Sequence, residues 1–175
     1  MENTPRTVIG EFIDAVVKDP VRAASLLAAY PDLLNARWIH EETVLHFLAV
    51  EGFADGVTFL ASRGADVNLV NKFGAPPLVD VAVLGYHDIA EILLRHGADP
   101  NVSSATQDNA LHAAASSGNV RLVQTLLDAG ANPRYRTDLD ESVFDAIDRA
   151  PRNRDALLTL LTEHGIVREE ADDGP

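Results

Sequence analysis

Apolar positions along the chain fall into short clusters of helical spacing, separated by glycines and polar turns. Residues 71–103 show the unit most clearly. Pro77 opens a run through Leu78, Val81 and Ala82, whose steps of three and four lie on one helix face. Gly85 breaks that run. Ile89, Ala90, Leu93 and Leu94 then repeat the spacing, and Gly97 stands where a helix-terminating glycine belongs. The pattern predicts two helices of about eight residues joined by a short turn. Such a pair cannot bury its apolar face alone, because isolated helices shorter than ~12–15 residues are marginal in water.

The unit recurs with a period of 33. Leu45, Leu78 and Leu111 keep that step, with Phe12 before them and Phe144 after them. So do Gly52, Gly85 and Gly118, and Asn35, Asn68 and Asn101; Gly64, Gly97 and Gly130 are each followed by alanine. Stacking successive helix pairs makes one continuous core, the arrangement of a solenoid. The first-helix starts carry their own signal. Thr43, Asn109 and Ser142 share one repeat position, and each can accept a backbone N–H as an N-cap. Pro76 stands there in the third copy and cannot cap by its side chain, but Pro77 suits the first helical turn.

TVLHFLAVEG, PPLVDVAVLGY and NALHAAASSGN resemble the TPLHxAAxxGH signature of the ankyrin repeat, and SRGADVN, RHGADPN and DAGANP resemble its GADVN ending. The resemblance implies an all-α ankyrin-repeat solenoid of about five helix–turn–helix repeats with short hairpin connections. Its repeats are 5–37, 38–70, 71–103, 104–136 and 137–171, forming one domain over 5–171 between an N-terminal tail, 1–4, and an acidic C-terminal tail, 172–175. The first repeat is degenerate, with Pro31 where the glycine would stand. In the last, Gly165 falls 35 residues after Gly130, so two residues are inserted, around Ala150–Asn153. The hairpin glycine is kept only as Gly74; Glu41, Gln107 and Asp140 replace it, which predicts less regular tips in repeats two, four and five. Gly56 lies inside a second helix, where glycine costs ~1 kcal/mol relative to alanine, so repeat two is expected to be locally soft.

Composition narrows the chemistry. Of 175 residues, 14 are Lys or Arg and 27 are Asp or Glu, giving a net charge of −13, and there is no cysteine. Disulfides, cysteine-ligated zinc and thiol nucleophiles are thereby excluded. The negative charge argues against nucleic acid and anionic membranes, and favours basic partners. MENTPRTVIGEF does not read as a secretory signal, and no 18-residue apolar run occurs, so a cytoplasmic address is expected. By repeat the formal charge is 0, −4, −2, +1 and −5, with repeat four made basic by Arg121, Arg134 and Arg136.

Candidate catalytic groups are sparse. His46 and His112 occupy the signature histidine, where the resemblance implies a structural hydrogen bond between hairpins. His40, His87, His96 and His164 fall at loops or helix ends; His96 and His164 precede Gly97 and Gly165, where a cation favours the helix dipole. No His-x3-His or HExxH pattern supports zinc, no glycine-rich loop supports a nucleotide, and no GxSxG supports a serine nucleophile. No catalytic, cofactor-binding or metal-binding residue is therefore assigned.

What remains is a surface. In the resembled family, partners bind along the hairpin tips and the exposed side of the first helices. Carried over repeat by repeat, this implies contacts by Trp38, His40, Phe73, Thr106 and Leu139 at or near tips. It adds Glu42, Ala75, Asp108 and Glu141 before the first helices, and Glu51, Leu84 and Ser117 near their ends. Phe73, Leu139 and Trp38 are the apolar anchors, with an intramolecular contact as the alternative for each; for Trp38 that alternative, covering the degenerate first repeat, carries more weight. Glu42, Asp108 and Glu141, beside Glu41 and Asp140, form an acidic ridge that either keeps the chain soluble or steers a basic partner. The expected function is a non-catalytic, monomeric protein–protein interaction module presenting a partly acidic concave surface to a protein with a basic patch. The alternatives are a small-molecule binder or enzyme using a groove pocket near His40 and His87, and a self-associating scaffold.

Overall fold

The computed structural model describes residues 6–104 and 109–168. Thr106, Gln107 and Asp108, and the tails at 1–4 and 172–175, lie outside the described residues. Among the described residues, ten α-helices form in consecutive pairs: α1 (Arg6–Lys18) with α2 (Pro20–Ala29), α3 (Val44–Val50) with α4 (Ala54–Ala61), α5 (Pro77–Leu84) with α6 (His87–Arg95), α7 (Ala110–Ser116) with α8 (Val120–Asp128), and α9 (Val143–Asp148) with α10 (Arg154–Glu163). The first helices α3, α5, α7 and α9 pack in series, and α4, α6, α8 and α10 form a second layer beside them.

The 33-residue register is the register of the core. Phe12, Leu45, Leu78 and Leu111 are all buried, as are Leu60, Leu93, Leu126 and Leu161 in the second layer. They belong to one apolar cluster running from Ile9 to Leu161. At roughly 1.5–3 kcal/mol for each fully buried large apolar side chain, each junction between pairs rests on several such residues.

Helix starts follow the side-chain chemistry. Thr43 Oγ1 accepts from the His46 N–H at 3.1 Å, Asn109 Oδ1 from the His112 N–H at 2.9 Å, and Ser142 Oγ from the Asp145 N–H at 3.4 Å. Ser142 and Asp145 complete a reciprocal capping box. Pro76 makes no side-chain cap, and Pro77 takes the first helical position. In the first pair, Pro31 opens a 3₁₀ turn, Pro31–Asn35, that buries Leu33 against the core.

A ladder of asparagines ties one inter-repeat loop to the next. The N–H groups of Asp66, Asp99 and Asn132 donate to Oδ1 of Asn35, Asn68 and Asn101 at 2.9, 2.8 and 2.7 Å. Asn68 and Asn101 also donate from Nδ2 to the Gly97 and Gly130 carbonyls, at 2.9 and 3.1 Å. Further along, the segment between α9 and α10 folds back over the preceding repeat. Asn153 Nδ2 donates to the Gly118 carbonyl at 2.9 Å, and a Cβ on Gly118 would lie 2.5 Å from the Arg152 carbonyl oxygen. Gly56 has a packing role: a Cβ there would lie 3.0 Å from Leu48 Cδ1 and 3.2 Å from Val16 Cγ1. Its missing side chain lets α4 close on α3 and α1.

Candidate functional site

The hairpin tips of repeats two, three and five keep a left-handed residue even where glycine is lost. Gly74 has φ 70°, and its counterparts Glu41 and Asp140 have φ 60° and 59°. Arginine supports both substitutes. Arg37 Nη1 donates to the Glu41 carbonyl and to the Val70 carbonyl of the next hairpin, both at 2.5 Å. Arg136, at the same repeat position, donates to the Asp140 carbonyl at 2.7 Å. The tip of repeat two departs further, since His40 is also left-handed, with φ 55°.

These turns place the tip side chains outward. Phe73 is 58% exposed and Leu139 82% exposed. The Phe73 ring lies 6.1 Å from that of His40, with Lys72 Nζ 4.8 Å from its centroid. The Lys72 N–H donates to the His40 carbonyl at 2.9 Å, so tips two and three form one strip. Val83 and Leu84 are exposed at the end of α5. Ser117 is half-buried and donates to the Ala114 carbonyl at 2.9 Å.

Two expected contact residues are used internally. Ala75 is only 5% exposed, and its N–H donates to Asn71 Oδ1 at 3.1 Å. Its small side chain is part of the hairpin base and offers no surface. Trp38 is half-buried and packed on the core, with its Cη2 3.7 Å from the Cβ position of Gly10. It covers the first repeat through a gap that Gly10 leaves.

The acidic positions are not equivalent. Among the described residues, Glu41, Glu42, Glu51 and Asp55 of repeat two enter no ion pair. In repeat five, Glu141 forms a bidentate pair with Arg149, at 2.5 and 2.8 Å, and Asp140 lies 3.4 Å from Arg136. Hydrogen bonds from Arg168 and Arg154 hold the Asp148 carboxyl below the usual carboxylate range. The side-chain and backbone hydrogen bonds of Ser142 do the same for Asp145. At the hairpin positions, Glu41 and Glu42 of repeat two thus stay unpaired among the described residues, whereas Asp140 and Glu141 of repeat five are paired with arginine.

The signature histidines join neighbouring repeats. His112 Nε2 approaches the Glu141 carbonyl at 3.3 Å, while His46 Nε2 is 2.8 Å from Asp80 Oδ2, which also accepts from Asn71 Nδ2 at 3.2 Å. His96 and His164 cap α6 and α10 at their C-termini.

The grouping that a search for paired histidines misses is His87, Asp88 and Glu91, which bring one ligand-type atom each within 4.8 Å of one another. The His-Asp-x-x-Glu spacing is its sequence trace. His87 Nε2 is 3.0 Å from Thr125 Oγ1, and the Arg121 guanidinium sits 4.0 Å from Asp88 and 3.7 Å from Glu91. The cluster is thus a polar bridge between α6 and α8, with a cation side chain already at its carboxylates. His87 also lines an open depression with Glu51, Tyr86 and Asp88. His40 is not part of it, so the structure does not bring the two histidines into a common pocket there.

The family model for ankyrin repeats matches the chain in overlapping segments, residues 15–104 and 45–137. A search of curated proteins finds no match to it. Among the described residues, no helix is long and apolar enough to cross a membrane.

Proposed function

We propose that this chain, which belongs to the ankyrin repeat family, is a non-catalytic module that binds another protein along its hairpin tips and first helices. Ankyrin repeats are generally protein–protein interaction modules. The observation that carries the reading here is the exposure of Phe73 and Leu139 at equivalent tips. Large apolar side chains held outward on a rigid turn are suited to anchor an interface, because a few such residues dominate binding energy. Glu42 and Glu51, with no ion partner among the described residues, give repeat two the field to steer a basic patch. The acidic docking end is accordingly repeat two; repeat five contributes the Leu139 anchor, near Asp140 and Glu141, which are paired with Arg136 and Arg149.

The test is affinity capture from the native host by the wild-type chain and by a Phe73→Asp, Leu139→Asp variant, at low and high salt. A protein retained by the first, lost with the second and weakened by salt supports the reading. Equal capture by both chains rejects the tips as the contact.

A further inference from the structure

The asparagine ladder stops at Arg134, which stands where the fourth asparagine would fall. The backbone groups that an asparagine would engage are the Val167 N–H and the Gly165 carbonyl, and neither makes a hydrogen bond among the described residues. At this break lies a pocket of about 100 Å³, lined by residues that include Arg134, Arg136, Arg168, Phe144, Gly165 and Val167. It is far smaller than the ~300–1,000 Å³ typical of small-molecule sites and is sized for one short polar side chain.

We propose that this pocket takes an aspartate or glutamate side chain presented by an acidic segment of a partner protein. Among the described residues, three arginines and no carboxylate line it, in a chain whose net charge is −13. Arg136 and Arg168 are held in place, by the Asp140 carbonyl at 2.7 Å and by Asp148 at 2.7 Å. The Arg134 side chain has no acceptor among the described residues. A free guanidinium beside a free backbone N–H is a donor set for a carboxylate. The remaining wall, including Pro133, Phe144 and Ile166, is apolar and fits the stem of a side chain better than a naked inorganic ion. In the three preceding junctions the equivalent N–H is engaged by a side chain of the same length, from within the chain. This site adjoins the repeat-five hairpin through Arg136, but it does not depend on the exposed tip side chains Phe73 and Leu139.

The test is amide NMR of the full chain, titrated at constant ionic strength with acetyl-Leu-Asp-Leu-amide, acetyl-Leu-Asn-Leu-amide and sodium phosphate. The expected result is a saturable shift of the Val167 amide and the Arg134 Nε resonance with the aspartate peptide, at least fivefold weaker with the asparagine peptide. Arg134→Asn, which refills the ladder, and Arg134→Ala, which removes the guanidinium without refilling it, should each weaken binding at least fivefold. Equal saturation by both peptides, no shift, or binding that survives Arg134→Asn overturns the proposal. Phosphate saturating as readily as the aspartate peptide assigns the pocket to free anions instead. Peptide binding that emerges only after residues 169–175 are removed assigns it to the chain's own acidic end. Either result overturns the partner assignment.

Discussion

Arg37 donates to the carbonyl of Glu41 at 2.5 Å, four residues along the chain, and Glu41 is the residue that sits left-handed where repeat three has a glycine. The pairing recurs between Arg136 and Asp140 at 2.7 Å. Where the glycine is present, as Gly74, the arginine position holds Val70. A left-handed backbone costs a residue with a Cβ roughly 1–2 kcal/mol. A charged hydrogen bond to its carbonyl, worth about 1.5–3 kcal/mol, is large enough to offset it.

Arg37→Ala should therefore destabilise the chain by about 1–2 kcal/mol, since both carbonyl contacts are lost from a partly solvated site. Glu41→Gly in that background should return about 0.5–1 kcal/mol by relieving the left-handed strain. Urea unfolding of the two variants and their combination measures the coupling. If Glu41→Gly has no effect in the Arg37→Ala background, the arginine does not act by supporting the strained turn.

Gly118 and Gly97 separate conformation from contact. Both are left-handed, with φ 73° and 89°, but only a Cβ on Gly118 meets a backbone oxygen, that of Arg152 at 2.5 Å; Gly97 has nothing within 4 Å. Gly97→Ala should cost about 1–2 kcal/mol. Gly118→Ala should cost more, about 2–4 kcal/mol, because the α9–α10 segment must also move. Equal midpoint shifts in thermal melts would show that this segment yields freely.

What the sequence reveals and what it hides divides along a physical line. Leu45, Leu78 and Leu111 repeat in identity because each fills the same hole between helix pairs, so the fold can be read from spacing. Thr43, Asn109 and Ser142 are legible because a cap acts within four residues of chain. The surface is less so. Glu141 looks like a member of an acidic ridge until Arg149, eight residues on and beyond α9, is seen to pair with it. Charge summed by repeat cannot reveal such pairing. Trp38 reads from sequence either as an anchor or as a cover for the degenerate first repeat, but its receptor is the absence of a side chain at Gly10, which leaves no pattern. Arg37 and Arg136 read as ordinary surface cations unless the missing hairpin glycine is asked what compensates for it.

The end of the ladder gives a stability prediction independent of any ligand. Arg134→Asn supplies an Oδ1 for the Val167 N–H and an Nδ2 for the Gly165 carbonyl, as Asn101 does for Asn132 and Gly130. Partly exposed hydrogen bonds contribute about 0.5–1.5 kcal/mol net, so the melting temperature should rise by roughly 2–4 °C. Asn101→Ala should lower it by a similar amount. A variant that melts no higher than wild type would mean that the last loop cannot reach the register of the other three.

Acid sensitivity should concentrate in the last repeat. Asp148 is held below the ordinary carboxylate range first by hydrogen bonds from Arg168 and Arg154, and Asp145 first by those of Ser142. A carboxyl with a depressed folded-state pKa contributes stability that is fully present above its unfolded value, about 3.9, and is lost as pH falls through the folded one. Neutral and mildly acidic solutions down to about pH 5 should leave this contribution intact, with the loss beginning near pH 4. Asp148→Asn removes the titration. At pH 7 it should destabilise the chain by about 0.5–1 kcal/mol, a figure set by solvent screening of these half-exposed pairs. Below pH 4 the wild type should converge on the variant. Unfolding measured from pH 2.5 to 7 tests this: parallel curves for the two chains throughout would show that the pairing of Asp148 with Arg154 and Arg168 does not contribute to the stability of the last repeat.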